Sequence, residues 1–241
     1  MRKKAIVIGA TSGIGRAFAQ LLVEKGYIVG ITGRRANLLE EMRVTNPRQY
    51  IAKQFDIDNY NSVSDSLDQL TALLAGIDLL VLCSGTGWRN VELNLDYEIS
   101  TVKTNVLGYT AVVNWAYKHF QESGRGSIAA ISSITGFRGF ALSPSYSSSK
   151  SFQMRYLEAL RQKAKTSGNL ISITDVRAGF VNTAMGQGAG AFWVASPDKA
   201  ARQILKAINN KKSVAYVTKR WVLIAWLLRL IPSFIYERIK L

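Results

Sequence analysis

The chain has one cysteine, Cys83, and one histidine, His119, in 241 residues. A single thiol excludes an intramolecular disulfide framework and every multi-cysteine zinc site, and a single imidazole excludes a His–His metal pair. No metal site is therefore expected. Acids are also scarce, with 16 Asp and Glu against 31 Lys and Arg, giving a formal charge of +15. A long apolar run near the start is missing too. Met1-Arg2-Lys3-Lys4 is basic, but the apolar stretch behind it ends at Ile8, short of the roughly 7–15 residues of a signal core. The start reads as a first strand, and the protein as cytoplasmic. What is present is a chain with 48% hydrophobic and 20% charged residues. That balance can bury a core and excludes a disordered protein. The length fits one α/β domain. The positive charge calls for an anionic partner: cofactor phosphates, an acidic carrier, nucleic acid or a membrane surface.

Short apolar runs alternate with helical patterns. Strand candidates are 3–9, 27–32, 51–56, 77–83, 126–132 and 170–176. Helical patterns cover 15–26, the Leu38–Met42 stretch, 59–74, 94–122, 145–166 and 197–208. This alternation predicts a doubly wound parallel sheet with helices on both faces, in a single domain. Composition shifts only at the end, so the chain divides into a main unit, 1–218, and an apolar and basic helical tail, 219–241.

Gly9-Ala10-Thr11-Ser12-Gly13-Ile14-Gly15 lies between the first strand and the first helix. Glycines there let the main chain approach a pyrophosphate, and the helix start offers N–H groups to the anion. At the end of the second strand, where a fold selecting NAD(H) places a carboxylate, stand Arg34 and Arg35. Two guanidiniums suit a ribose 2′-phosphate, so NADP(H) is favoured over NAD(H).

Tyr146 and Lys150 are four residues apart on one face of a predicted helix. A phenol of ordinary pKa, about 10, is a poor acid near neutrality, and a cation beside it lowers that value. Ser133 ends a strand thirteen residues upstream, and Asn105 lies in Thr104-Asn105-Val106-Leu107-Gly108.

With these residues, 1–217 resembles the short-chain dehydrogenase/reductase family. The family's T-G-x-x-x-G-I-G is matched by Ile8 to Gly15, with Ile8 in place of Thr. Its Asn-Ser-Tyr-Lys tetrad falls on Asn105, Ser133, Tyr146 and Lys150. The resemblance implies a Rossmann-like fold and named roles. Tyr146 would protonate the substrate oxygen and Ser133 would orient it. Lys150 would bind the nicotinamide ribose and lower the Tyr146 pKa. Asn105 would hold a water linking Lys150 to solvent. It further implies cofactor contacts at Asp56 and Ile57, at Ser84 and Gly85, and along Arg177 to Thr183, including Gly179, Val181 and Thr183. Two motifs depart from the family: N-N-A-G becomes Leu82-Cys83-Ser84-Gly85, and P-G becomes Ala178-Gly179. Cys83 reads as a small buried hydrophobe and His119 as a surface or helix-end residue. Strand alternation turns Ser132 away from the site.

In the family, the segment at 184–196 is a mobile lid over the substrate. Here it carries three glycines, with Phe192 and Trp193 as apolar contacts for substrate. The tail has only eight residues between Arg220 and Arg229, and Pro232 follows, so it is too short to span a bilayer. Residues 211–241 hold seven Lys or Arg and one Glu. Trp221, Trp226 and Tyr236 among these cations suit a membrane interface, here the inner face of a membrane, while packing on the core or a subunit is the equal alternative. The leading function is NADP(H)-dependent reduction of an apolar ketone, extending to a long-chain lipid such as a 3-ketosphinganine-like ketone, or oxidation of the matching alcohol. Alternatives are 3-oxoacyl-carrier-protein reduction and a non-catalytic NADP-binding sensor. A homodimer or homotetramer is expected, and nucleic-acid binding is not, because no basic patch interleaved with aromatics lies outside the tail.

Overall fold

The apolar runs become the strands of one seven-stranded parallel sheet in the computed structural model, which describes residues 2–186 and 191–239. The strands are β1 (Lys4–Ile8), β2 (Ile28–Gly33), β3 (Tyr50–Gln54), β4 (Leu79–Leu82), β5 (Arg125–Ser133), β6 (Leu170–Ala178) and β7 (Val214–Val217). Their order across the sheet is β3-β2-β1-β4-β5-β6-β7. Chain direction across the sheet reverses between β1 and β4, which opens the crevice where such sheets bind ligands.

Alternation along each strand explains the two cores. Ala5 and Val7 of β1 face one layer with Phe18 and Leu22 of α1 (Gly13–Glu24), Leu39 of α2 (Ala36–Thr45) and Ile204 of α7 (Pro197–Asn209). Ile6 and Ile8 face the other layer, with Leu67 and Leu70 of α3 (Val63–Leu74), Val113 and Phe120 of α5 (Tyr109–Glu122) and Leu157 of α6 (Pro144–Thr166). Each fully buried aliphatic side chain stabilises the fold by about 1.5–3 kcal/mol. A one-residue slip of β1 would exchange these faces, so burial fixes its register.

The structure departs from the sequence pattern in three places. The helix predicted over 94–122 is interrupted: α4 (Leu95–Val102) and α5 are joined by a π-helical turn, Lys103–Gly108, which carries Asn105. Such single π turns break the regular ladder and recur at functional sites. β7 is an additional strand that the pattern does not signal, because four residues are too few to show a period. β3 ends at Gln54, so Asp56 and Ile57 lie in the loop beyond it.

The tail forms α8 (Trp221–Leu230) and α9 (Ser233–Tyr236), separated at Pro232. Among the described residues no helix is long and apolar enough to cross a membrane. Two of the aromatics expected at an interface face inward instead. Trp221 is 1% exposed. Tyr236 donates its hydroxyl to the Gly139 carbonyl at 2.7 Å, under the Arg138 guanidinium. Trp226 remains 66% exposed.

Candidate active site

The Gly-rich turn follows β1 directly. Gly9 (φ +83°) and Gly13 (φ +53°) adopt the left-handed region that side chains resist. A Cβ at Gly9 would lie 2.6 Å from Ser84 Oγ, and one at Gly13 would lie 2.8 Å from Thr183 Cγ2. Ser84 and Thr183 therefore close on the turn from opposite sides. Helix α1 begins here with no side-chain cap and no acid in its first turn. Among the described residues, its leading N–H groups and positive dipole end thus meet no capping side chain and no first-turn acid. Arg35 Nη2 donates to Thr11 Oγ1 at 2.7 Å and to Ser12 Oγ at 2.8 Å, which fixes one guanidinium over the turn. Arg34 is exposed and lies 3.7 Å from Asp56 Oδ2. Arg34 thus pairs with a carboxylate from the loop after β3. Gly15 is buried against Gly9, and Ile14 packs half-buried on the core. The Ile57 and Val181 side chains lie inside the two cores, which leaves their backbone groups as the contacts they could offer.

Tyr146 and Lys150 project from the first two turns of α6, opposite the end of β5. The Tyr146 phenol is half-buried and hydrogen-bonded with Ser133. Burial pushes its pKa above the ordinary value, and the Ser133 bond pulls it down. Ser133 Oγ is held in turn, accepting from Thr135 Oγ1 at 3.0 Å and donating to the Ala178 carbonyl at 3.3 Å. Lys150 Nζ sits 5.6 Å from the Tyr146 ring centroid and donates to the Ile131 carbonyl at 3.0 Å. Burial lowers its pKa to about 8, opposed by the charge of Asp175.

Asn105 is fully buried and acts as a clamp. Its Oδ1 accepts from Thr86 N at 2.9 Å, and its Nδ2 donates to Thr86 O at 2.7 Å and to Ser149 Oγ at 3.0 Å. This holds residues 85–87 against α6. Gly87 packs directly on the Tyr146 ring, and a Cβ at Gly85 would lie 3.5 Å from Lys150 Nζ. The link from Asn105 to Lys150 runs through Gln153, a residue that the sequence pattern does not single out. Its carboxamide joins Lys150 Nζ to the Asn105 main-chain oxygen. The i, i+3 spacing of Lys150 and Gln153 is the signal that could have revealed it.

Ser132, the neighbour of Ser133 on β5, hydrogen-bonds Asp175. Asp175 also accepts from Arg177 Nε at 2.7 Å. Phe192 and Trp193 join Phe180 in an aromatic cluster around Trp221, with ring centroids 4.9, 5.7 and 5.6 Å from it respectively. Trp221 is a second residue here that the sequence pattern does not place at the site; its indole packs on Gly179, and among the described residues its buried Nε1 has no hydrogen-bond partner. Of the segment expected as a lid, 187–190 lie outside the described residues. Burial pushes the Cys83 thiol up to about 12, which keeps it protonated and inert. His119 stacks on Trp115 in the last turn of α5. No cluster able to hold a metal occurs among the described residues.

A sequence model of the short chain dehydrogenase family matches residues 3–192. An uncharacterized oxidoreductase of Myxococcus xanthus is 30% identical over 186 residues, covering 75% of this chain and 73% of its own. A 3-oxoacyl-acyl-carrier-protein reductase of Bos taurus is 27% identical over 187 residues, covering 77% of this chain and 78% of its own. Among solved structures, a short-chain dehydrogenase from Streptomyces avermitilis superposes with a TM-score of 0.82 at 23% identity. That superposition covers 95% of this chain and 92% of that one, and it shows the shared fold.

Proposed function

The chain belongs to the short chain dehydrogenase family, and from that premise we propose that it is an NADP(H)-dependent oxidoreductase. It reduces the ketone of an apolar substrate, or oxidises the matching secondary alcohol. One observation carries this reading: a half-buried phenol, Tyr146, bonded to Ser133 with a buried ammonium, Lys150, beside its ring. The residues present also fit the cofactor. The Gly9–Gly13 cradle is too tight for side chains, opens on an uncapped helix start and carries the Arg35 guanidinium. When bound, the nicotinamide supplies the hydride.

The chain's own groups do the rest. Tyr146 Oη gives its proton to the substrate oxygen, and Ser133 Oγ orients that oxygen by a hydrogen bond. Lys150 keeps a positive charge next to the phenolate that forms, and its ammonium binds ribose hydroxyls. Arg35, aided by Arg34, binds the 2′-phosphate by charge-assisted bonds. Asp56, Ser84, Gly85, Gly179 and Thr183 complete the cofactor contacts. Phe180, Phe192, Trp193 and Trp221 form an apolar wall suited to a hydrocarbon substrate, including a long-chain lipid ketone. Residues 219–241 thus serve the 1–218 unit as part of that wall.

The outer side of α8 supports a peripheral membrane contact. Leu223, Trp226, Leu227 and Leu230 are exposed there, while Trp221 and Ala225 turn inward. Lys219, Arg220 and Arg238 flank them, and each cation near an anionic surface adds about 1 kcal/mol of attraction. Exposed Leu95, Ile99 and Phe152 on α4 and α6 support self-association. The charge of +15 favours a second reading, an acyl thioester on an acidic carrier. The test is NADPH and NADH oxidation with free long-chain ketones and with acyl-carrier thioesters. NADPH-dependent turnover of free ketones is expected. Turnover of carrier thioesters alone would favour the second reading. Cofactor binding without turnover on any carbonyl would make the protein a sensor.

A further inference from the structure

Gln153 lies one turn beyond Lys150 on α6 and is 0% exposed. A buried carboxamide needs partners for its oxygen and its N–H groups, and both ends are engaged here. Oε1 accepts from Lys150 Nζ at 3.0 Å, and Nε2 donates to the Asn105 main-chain oxygen at 2.9 Å. That oxygen belongs to the π-helical turn, so a single side chain ties α6 to the break between α4 and α5. With the Ile131 carbonyl, also at 3.0 Å, two of the three Lys150 donors are fixed. The third is left for the Tyr146 side of the site.

A water bridging the same two atoms could pass a proton along. A carboxamide cannot, because near neutrality it neither releases nor takes one. We propose that Gln153 is a positioning residue: it aims the Lys150 ammonium at Tyr146 and closes the route from that ammonium to solvent past Asn105. This rests on the proposed function only in that Lys150 serves Tyr146.

The titratable and charged groups facing Lys150 are Tyr146 on its own helix and Asp175 on β6. The Ile131 carbonyl of β5, Asn105 of the π turn and Gly85 present neutral groups. Gln153 is therefore the side chain whose replacement changes the ammonium's surroundings without touching another charge.

The test uses the full chain with isotope-labelled lysine, the Lys150 signal being assigned by its loss in Lys150→Met. Its titration is followed by NMR without cofactor or substrate. Gln153→Met removes an acceptor from a buried ammonium, so the Lys150 midpoint should fall by about one pH unit. Gln153→Glu sets a carboxylate against it, and the midpoint should rise by about one unit or more. Gln153→Ala makes room for water, and the Lys150 ammonium protons should exchange about tenfold faster or more than in the wild type. Thermal melts identify variants that fail to fold, and each variant that does fold tests the proposal independently of the others. Unmoved midpoints, midpoints moving in the same direction, or unchanged exchange in Gln153→Ala would overturn the proposal. NADPH titration of the wild type, read by nucleotide fluorescence, tests the proposed function separately. Opposite midpoint shifts without NADPH binding would keep Gln153 as the Lys150 positioner and remove the reductase.

Discussion

Around Lys150 the polar side chains hold one another. Asn105, Ser133, Tyr146, Lys150 and Gln153 each have a named partner inside the fold. On the outer side of α8, large apolar side chains stand in the open: Leu223 is 69% exposed and Trp226 66%. In the proposed function both regions line the substrate site, one through Tyr146 and the other through Trp221. A polar site is specified by directional pairs, so its residues appear as fixed spacings in the sequence. An apolar helix is specified by whatever covers it, and a ten-residue stretch that is hydrophobic all round does not say which side that is.

The contrast is most exposed to test at its polar end. Lys150→Met removes the charge beside Tyr146 and the ribose donor together. Turnover should fall by about 10²–10⁴, and fluorescence titration should show weaker NADPH binding. A variant that lost only one of the two would separate roles that the geometry joins.

At the apolar end, Trp221→Ala empties a site packed by three aromatic rings. Denaturant unfolding should show a loss of about 3–5 kcal/mol, together with a raised KM for apolar ketones. A loss below about 1 kcal/mol would mean that α8 docks loosely.

Arg35→Ala should weaken NADPH binding by about tenfold or more, through lost charge-assisted bonds, and NADH binding far less. Arg34→Ala should act in the same direction but less, because this guanidinium is solvent-exposed and near Asp56. Equal loss of both nucleotides in Arg35→Ala would make that guanidinium a brace for the Thr11–Ser12 turn instead.

The pH dependence follows from Lys150. Its pKa is lowered to about 8 in the folded chain, so the ammonium dominates below that pH and the neutral amine above it. NADPH affinity should therefore fall as pH rises through about 8, measured by titration at constant ionic strength. Affinity that is flat or rising across that range would take Lys150 out of cofactor binding.

The smallest effect expected on stability concerns the exposed face. Leu223→Ser combined with Trp226→Ser should change unfolding free energy by about 0.5 kcal/mol or less. The same variant should no longer sediment with anionic liposomes, whereas the wild type should, and less so in high salt. A change of oligomer without any lipid effect would assign that face to a second copy of the chain. The double serine variant is a sharper probe than deletion of 219–241, which would also remove Trp221 from the aromatic cluster.

The legibility of the molecule follows the same division. β1, β2, β4, β5 and β6 are readable because each combines an apolar run with a turn signal, and so is the two-sided helical cover. The positions of Tyr146, Lys150, Ser133 and the glycine turn can be read because their spacing is local. Asp56 cannot be matched to Arg34 from sequence, since the two meet only after β2 and β3 pair. Gln153 stands three residues from Lys150, but its second bond is to the Asn105 backbone, which no side-chain pattern reports. The inward turn of Trp221 depends on Gly179 and Phe180, about forty residues earlier in the chain.

The proposed reaction depends on Tyr146 as the proton donor of a carbonyl reduction. The direct measurement is ketone-dependent NADPH oxidation by wild type and Tyr146→Phe on the same apolar ketone, with NADPH binding measured on both proteins. Turnover should drop by about 10²–10⁴ while binding stays within about twofold, because the phenylalanine keeps the ring packed on Gly87 and loses only the hydroxyl. Turnover of Tyr146→Phe within about tenfold of the wild type would contradict that role.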